Sequence, residues 1–293
     1  MAGSGGTGSV LRLRLAGEES PDPRERAVRS HVVSVVFTAD LEEWRRGWGA
    51  ETPAREAVVS VDDPTRSASA AGPTQLFPAP DLAYTMLGEL DGIDIVLRTV
   101  EEYLAETTGS ELTVLVDDVA PVLDAYGPAT LRQFLEQLSA IADSVDGTVA
   151  VGCSMTPDLV RAVASITPVI DEVHGVAPEL TEAVDRLRRS DPTTFGYTRR
   201  YWAEASRGID ACTRNYPQAK QIHTALSDPE TTPRTLGATL TGLVELGVLG
   251  TWGDTVGPTR YDLTAYDPVR AARIGFVLAG AADASSPRLV HDS

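Results

Sequence analysis

Hydrophobic positions fall along this chain in two rhythms. Short β-branched runs alternate with longer stretches in which apolar residues recur every three or four positions. The first rhythm marks strands buried on both faces, the second amphipathic helices. Strand patterns occupy residues 10–15 (VLRLRL), 31–37 (HVVSVVF), 57–61 (AVVSV), 112–116 (LTVLV), 147–154 (GTVAVGCS) and 169–173 (VIDEV). Helical patterns occupy 41–48, 82–107, 128–145 and 157–165, and a polar helix is expected around 24–30. Ile93, Leu97, Val100 and Leu104 share one face, as do Leu131, Phe134, Leu135, Leu138, Ile141 and Val145. Residues 62–80 carry Pro, Ser, Ala and Gly without a period and predict a loop. The alternation predicts an α/β domain, a parallel sheet flanked by helices.

At residue 178 the pattern changes. A charged helix over 178–189 ends at Ser190-Asp191-Pro192, a boundary signal. Three helical patterns then follow closely, over 194–212, 217–226 and 233–246. Two short strand patterns, 248–252 and 259–263, flank a Gly- and Pro-bearing turn, and a helix over 268–279 closes the chain. That order predicts a small winged-helix (α+β) domain. Leu236, Leu240, Leu243 and Gly247 would face its core, with Thr232 capping the third helix and Pro233 in its first turn. The expected division is a flexible tail over 1–9, an α/β domain over 10–189, the winged helix over 190–281 and a second flexible tail over 282–293.

Charge narrows the chemistry. The 293 residues carry 42 acids and 25 bases, a formal charge of −17, and Lys220 is the one lysine. A phosphate-binding P-loop places a lysine behind its glycines, so the first 219 residues cannot supply one. Lysine Schiff-base chemistry is excluded there too. An acidic surface with arginine as nearly its sole base fits the salt-rich cytoplasm of a halophile, where ions screen self-repulsion. The acids are unevenly spread. Residues 191–280 hold nine acids and nine bases, whereas the first 190 hold 31 acids and 15 bases. A neutral module on an acidic body is a relative basic patch. Cys153 and Cys212 make neither a disulfide framework nor a metal site. No signal-peptide pattern and no membrane-length apolar run is present, so a cytoplasmic protein is expected.

Asp117-Asp118 closes the 112–116 run. An acid at the carboxyl end of a hydrophobic strand is the geometry that holds Mg²⁺ beside a nucleotide. The alternative is that both acids cap the next helix. The run after Leu15, Ala16-Gly17-Glu18-Glu19, has no second glycine and no lysine, and its acids repel phosphate. The order of elements, with HVVSVVFTADLEEW, REAVVSVDD, LTVLVDDV and ATLRQFLEQLSAIADSVDGTVAVGCS, resembles the RecA/KaiC-like ATPase family, in particular inactivated haloarchaeal relatives, over about residues 10–175. The resemblance implies a RecA-like sheet. Of the residues that bind ATP·Mg in active members, only the strand-end acid has a counterpart, Asp117 or Asp118.

The stretch YPQAKQIHTALSDPETTPRTLGATLTGLVELGVLGTW resembles the winged helix-turn-helix of archaeal and bacterial transcriptional regulators. The resemblance implies that the third helix enters the DNA major groove and presents Arg234, Thr235, Ala238, Thr239 and Thr241, with Arg260 beside the wing. The alternative is a winged helix that binds protein. Tyr216 and Lys220 match a Tyr-x-x-x-Lys pair by chance, away from any glycine fingerprint. His31, His174, His223 and His291 lack metal-ligand spacing, and Ser154 stands in no nucleophile elbow.

These readings converge on a non-catalytic regulator expected to bind double-stranded DNA as a homodimer reading two half-sites, with no cofactor, no metal and no membrane partner. The alternatives are an ATP-binding switch or weak ATPase using Asp117 and Asp118, and a protein–protein adaptor.

Overall fold

The structure, a computed structural model, describes residues 10–290 apart from 16–23, 25, 26, 29, 50, 51, 62–73, 80, 89–91, 106–110, 157, 254–256 and 282–286. The chain forms two compact units. One comprises the residues up to Ser154 with Val169–Gly175, the other Met155–Pro168 with Val176–His291.

The first unit is built on eight strands: β1 (Leu11–Leu15), β2 (His31–Val36), β3 (Arg55–Val61), β4 (Thr74–Ala79), β5 (Leu82–Leu87), β6 (Leu112–Val116), β7 (Thr148–Cys153) and β8 (Glu172–His174). They lie in the order β8-β1-β7-β6-β2-β3-β5-β4. All neighbours are parallel except β4, which runs antiparallel to β5. This is an α/β fold with a RecA-like parallel sheet. β6 is buried at all five positions, the signature of a strand covered on both faces.

Three helices accompany these strands: α1 (Leu41–Arg46), α2 (Ile93–Ala105) and α3 (Ala120–Asp143). α3 buries Leu131, Phe134, Leu135 and Leu138 completely, while Ile141 and Val145 are only partly covered. It begins eight residues before the expected start and bends at Gly127 (φ 77°, ψ 177°), immediately before Pro128. Proline removes a helical donor and clashes with the preceding turn, so the kink sits where the sequence dictates it.

Two expectations fail here. The predicted loop over 62–80 contains β4, and the predicted helix over 82–107 is β5 followed by α2. LAYTML is an apolar run too short for its period to separate strand from helix. Its burial alternates, and pairing with β3 decides the matter. β4 tolerates Pro78 because it is an edge strand with a register shift between Leu76 and Ala79. The tail over 1–9, residues 282–286 and 291–293 of the closing tail, and residues 25, 26 and 29 of the expected 24–30 helix lie outside the described residues, whereas 288–290 of that closing tail form a strand.

A buried carboxylate organises the β2–β3 side of the sheet. Glu56 on β3 is 5% exposed. Its Oε1 accepts the indole N–H of Trp44 (2.9 Å), the indole N–H of Trp48 (3.0 Å) and the hydroxyl of Ser34 (3.0 Å). The Arg24 guanidinium lies 4.9 Å from the Trp44 ring centroid and donates to the Trp44 carbonyl (3.2 Å).

The second unit contains α4 (Leu159–Ile166), α5 (Pro178–Ser190), α6 (Pro192–Ala211), α7 (Ala219–Ala225), α8 (Pro233–Glu245), β9 (Gly250–Thr251), β10 (Tyr261–Asp262), α9 (Pro268–Gly280) and β11 (Arg288–Val290). Asp191 separates α5 from α6 and caps α6 through the Thr193 and Thr194 amides and the Thr194 hydroxyl. Those bonds, led by Thr194, hold its carboxyl below the ordinary range. Helix contacts are close because glycines line them. A Cβ added at Gly242 of α8 would collide with the Thr198 hydroxyl of α6, and one at Gly275 of α9 with the Trp202 ring.

Candidate functional site

The carboxyl ends of parallel strands are where open α/β sheets bind ligands. β6 delivers Asp117 and Asp118 to that edge, two strands from β1. Asp117 Oδ1 accepts the amides of Phe37 (2.8 Å) and Asp118 (2.7 Å). Its Oδ2 accepts the amide and hydroxyl of Thr38 (2.8 and 2.7 Å) and the amide of Ala39 (3.3 Å). A carboxylate offers about four lone-pair sites, and five donors already converge on them. Burial raises the Asp117 carboxyl above its ordinary range, while the bonds from Phe37, Thr38 and Asp118 pull it back. In this geometry Asp117 ties the loop after β2 to the end of β6.

Asp118 is occupied likewise. Its Oδ1 accepts the Ala120 amide (2.8 Å) at the start of α3 and the Ser154 amide (3.1 Å), and its Oδ2 accepts the Ser154 hydroxyl. The helix-capping alternative therefore describes Asp118, with Ser154 as its second partner. Gly152 on β7 packs so closely on the Asp117 carbonyl that no side chain fits between them. Residues 16–23, where a phosphate loop would lie, fall outside the described residues. Among the described residues, no group of three or more His, Cys, Asp or Glu is placed to hold a metal ion.

Beside this edge, burial and the Asp118 charge push the Cys153 thiol up to about 12. The reactive thiolate is then scarce at neutral pH. Iodoacetamide is expected to leave Cys153 unmodified in the native protein and to label it after unfolding, read by peptide mass spectrometry. Rapid native labelling would contradict the burial.

The 192–262 segment gives a second candidate. Thr232 caps α8 by accepting the Thr235 amide (3.2 Å), with Pro233 in the first turn. Leu236, Leu240 and Leu243 are completely buried, and Gly247 makes the turn that follows α8 with φ 70°. Arg234 and Thr241 are exposed, and Thr235 and Ala238 are half-buried. Thr239 is a correction. It is completely buried, its hydroxyl donating to the Thr235 carbonyl (3.1 Å), because it lies on the α6-facing side of the helix. The Thr241 hydroxyl donates to the Gly237 carbonyl (3.0 Å).

Arg260 is exposed just before β10, and its Nη1 donates to the Tyr216 carbonyl (3.1 Å). Gln218, ahead of α7, forms an antiparallel bridge with Arg260. This bridge sets the 216–218 segment beside the β9–β10 pair, and the Tyr261 amide donates to the Pro217 carbonyl (2.9 Å). The Tyr261 hydroxyl reaches the Gly237 carbonyl (3.1 Å), fixing β10 to α8.

Two features escape sequence reasoning. Glu204 of α6 is buried, and its Oε1 accepts the amides of Glu230 (3.0 Å) and Thr231 (3.1 Å) and the Thr231 hydroxyl (3.0 Å). It thereby fixes the turn that launches α8. Tyr216 and Trp252 stack with ring centroids 5.0 Å apart. An acid inside an otherwise helical period and a tryptophan beside a glycine-rich turn are the only sequence signals of either.

Among solved structures, the chain is similar to one titled "Structure of Drosophila ORC bound to AT-rich DNA and Cdc6", at 10% identity, with 85% of each chain covered and a TM-score of 0.20. At that score no property carries over. No curated protein matches the chain. No helix among the described residues is long and apolar enough to cross a membrane. The model of a family of unknown function, DUF7504, matches residues 2–176, more than half of the 293-residue chain. The chain belongs to the DUF7504 family.

Proposed function

We propose that this protein is a non-catalytic DNA-binding regulator, in which residues 192–262 form a winged helix and the RecA-like unit serves as a scaffold or sensor. The observation that carries the proposal is the Gln218–Arg260 bridge. It extends the β9–β10 pair with a third segment and gives the order helix, strand, helix, helix, strand, strand of a winged helix. α8 is held by three buried leucines, which leaves Arg234 pointing outward in its first turn. A guanidinium there meets a guanine edge or a phosphate. The Asp117 carboxylate, whose acceptor sites are all taken, and the helix-capping bonds of Asp118 support a scaffold role for the first unit.

The test is a fluorescence titration with duplex DNA across a KCl series. Arg234→Glu is expected to weaken binding about tenfold or more, the order associated with one arginine contact. Equal affinity of the variant and the native chain, or no duplex binding by either, would remove the DNA reading. Capture of a protein partner that depends on the same arginine would favour the adaptor.

A further inference from the structure

Tyr216 and Trp252 are two of the three large hydrophobic side chains exposed among the described residues, and they stack on each other. Their rings are 5.0 Å apart and tilted by 34°. Neither sits on a loose loop. The Trp252 amide donates to the Arg260 carbonyl (2.9 Å), and Arg260 donates back to the Tyr216 carbonyl. The Leu263 amide donates to the Asn215 carbonyl (2.9 Å) and continues the lattice.

Arg260 is bonded to the Tyr216 carbonyl, and Arg214 and Lys220 stand two and four positions from Tyr216 along the chain. Arg214, Lys220 and Arg260 are all exposed, and residues 211–227 contain no acid in a chain of net charge −17. Along the chain, Asp254 follows Trp252 by two positions and Asp262 follows Arg260 by two. Stacked rings beside the Arg260 guanidinium complement a ligand that is at once planar and anionic. A nucleic-acid strand with unpaired bases has both properties: its bases stack on the rings and its phosphates meet the cations. A duplex offers phosphates but keeps its π faces covered. A peptide partner supplies no matching negative charge unless it is acidic.

We propose that the Tyr216–Trp252 face is a base-stacking platform for single-stranded nucleic acid, distinct from the Arg234 face of α8. The proposal rests on reading the module as nucleic-acid-binding, but not on duplex recognition by α8. Stacking is less sensitive to salt than phosphate contacts, which suits a chain with so few bases.

The chain carries its own reporter. Trp44, Trp48 and Trp202 are each 6% exposed, whereas Trp252 is 46% exposed. Base stacking therefore quenches the emission of one tryptophan. The full chain is titrated with oligothymidylate, an abasic strand of equal length and a duplex of equal length, at low and at molar KCl. Oligothymidylate is expected to quench emission and to bind about tenfold more tightly than the abasic strand, the order set by one stacked base. Trp252→Ala and Tyr216→Ala, both surface changes, are expected to lose that advantage while retaining the native circular dichroism spectrum. Arg234→Glu is expected to leave it unchanged.

Equal affinity for the abasic strand, or unaltered oligothymidylate binding by Trp252→Ala, overturns the platform. Duplex binding without any effect of unpaired bases removes this proposal alone. Oligothymidylate binding that survives a loss of duplex binding supports it and removes only the duplex reading.

Discussion

Asp117→Ala is expected to lower the stability of the fold by about 3 kcal/mol, because charged hydrogen bonds contribute about 1.5–3 kcal/mol each and several are lost together. Water recovers part of that loss, since the carboxylate is only partly buried. The amides of Phe37, Thr38, Ala39 and Asp118 would lose their shared acceptor, and the loop after β2 would loosen. Chemical denaturation measures the change. Asp117→Asn separates this role from ion binding. An asparagine presents one carbonyl and one amide donor to a set of donors, so half of its side chain faces the wrong partners. A structural tie therefore predicts a destabilised Asn variant. A Mg²⁺ ligand predicts a variant as stable as the native chain that has lost Mg²⁺-dependent nucleotide binding.

Glu56→Ala is expected to cost more, about 4 kcal/mol, since stranding a buried donor costs roughly 1–3 kcal/mol and three donors meet one oxygen. The two indoles and Ser34 would be left facing an apolar void. Removing most of a buried side chain adds a cavity. Glu56→Gln keeps a carbonyl at Oε1 and is expected to retain about half of the lost stability. Denaturant melts followed by tryptophan emission report both, and a native-like melting midpoint for Glu56→Ala would refute the arrangement. Trp44 and Trp48 also give the readout, because loss of the carboxylate acceptor changes their emission before unfolding.

The legible part of the fold was the part written in local pattern. β2, β6 and β7 are rich in β-branched residues, β1 alternates Leu with Arg, and the helical periods of α5, α6, α8 and α9 survive within a few residues. The neighbourhood of Asp117 was legible as a strand end, because a hydrophobic strand stopping at two acids can only deliver them to the sheet edge. Which donors would take those acids was not, because Phe37 and Thr38 lie about 80 residues away and meet Asp117 only through the β2–β6 pairing. LAYTML failed for the opposite reason. Its local pattern is ambiguous, and the neighbouring β3 supplies the deciding hydrogen bonds. Thr239 is expected outward as part of the face that the winged-helix resemblance implies. Its hydroxyl satisfies itself on the preceding turn of α8, which lets the residue turn inward and pack at little cost. The Tyr216–Trp252 stack joins residues 36 positions apart, and no periodicity connects them.

Glu204 has a thermodynamic consequence. By gripping the Glu230 and Thr231 amides, it ties the turn that launches α8 to α6. In the proposed DNA-binding role, α8 would then have little freedom to surrender on association, and the entropic penalty would be small. Under that proposal modest contacts suffice, and selectivity would come from fit rather than from adaptation.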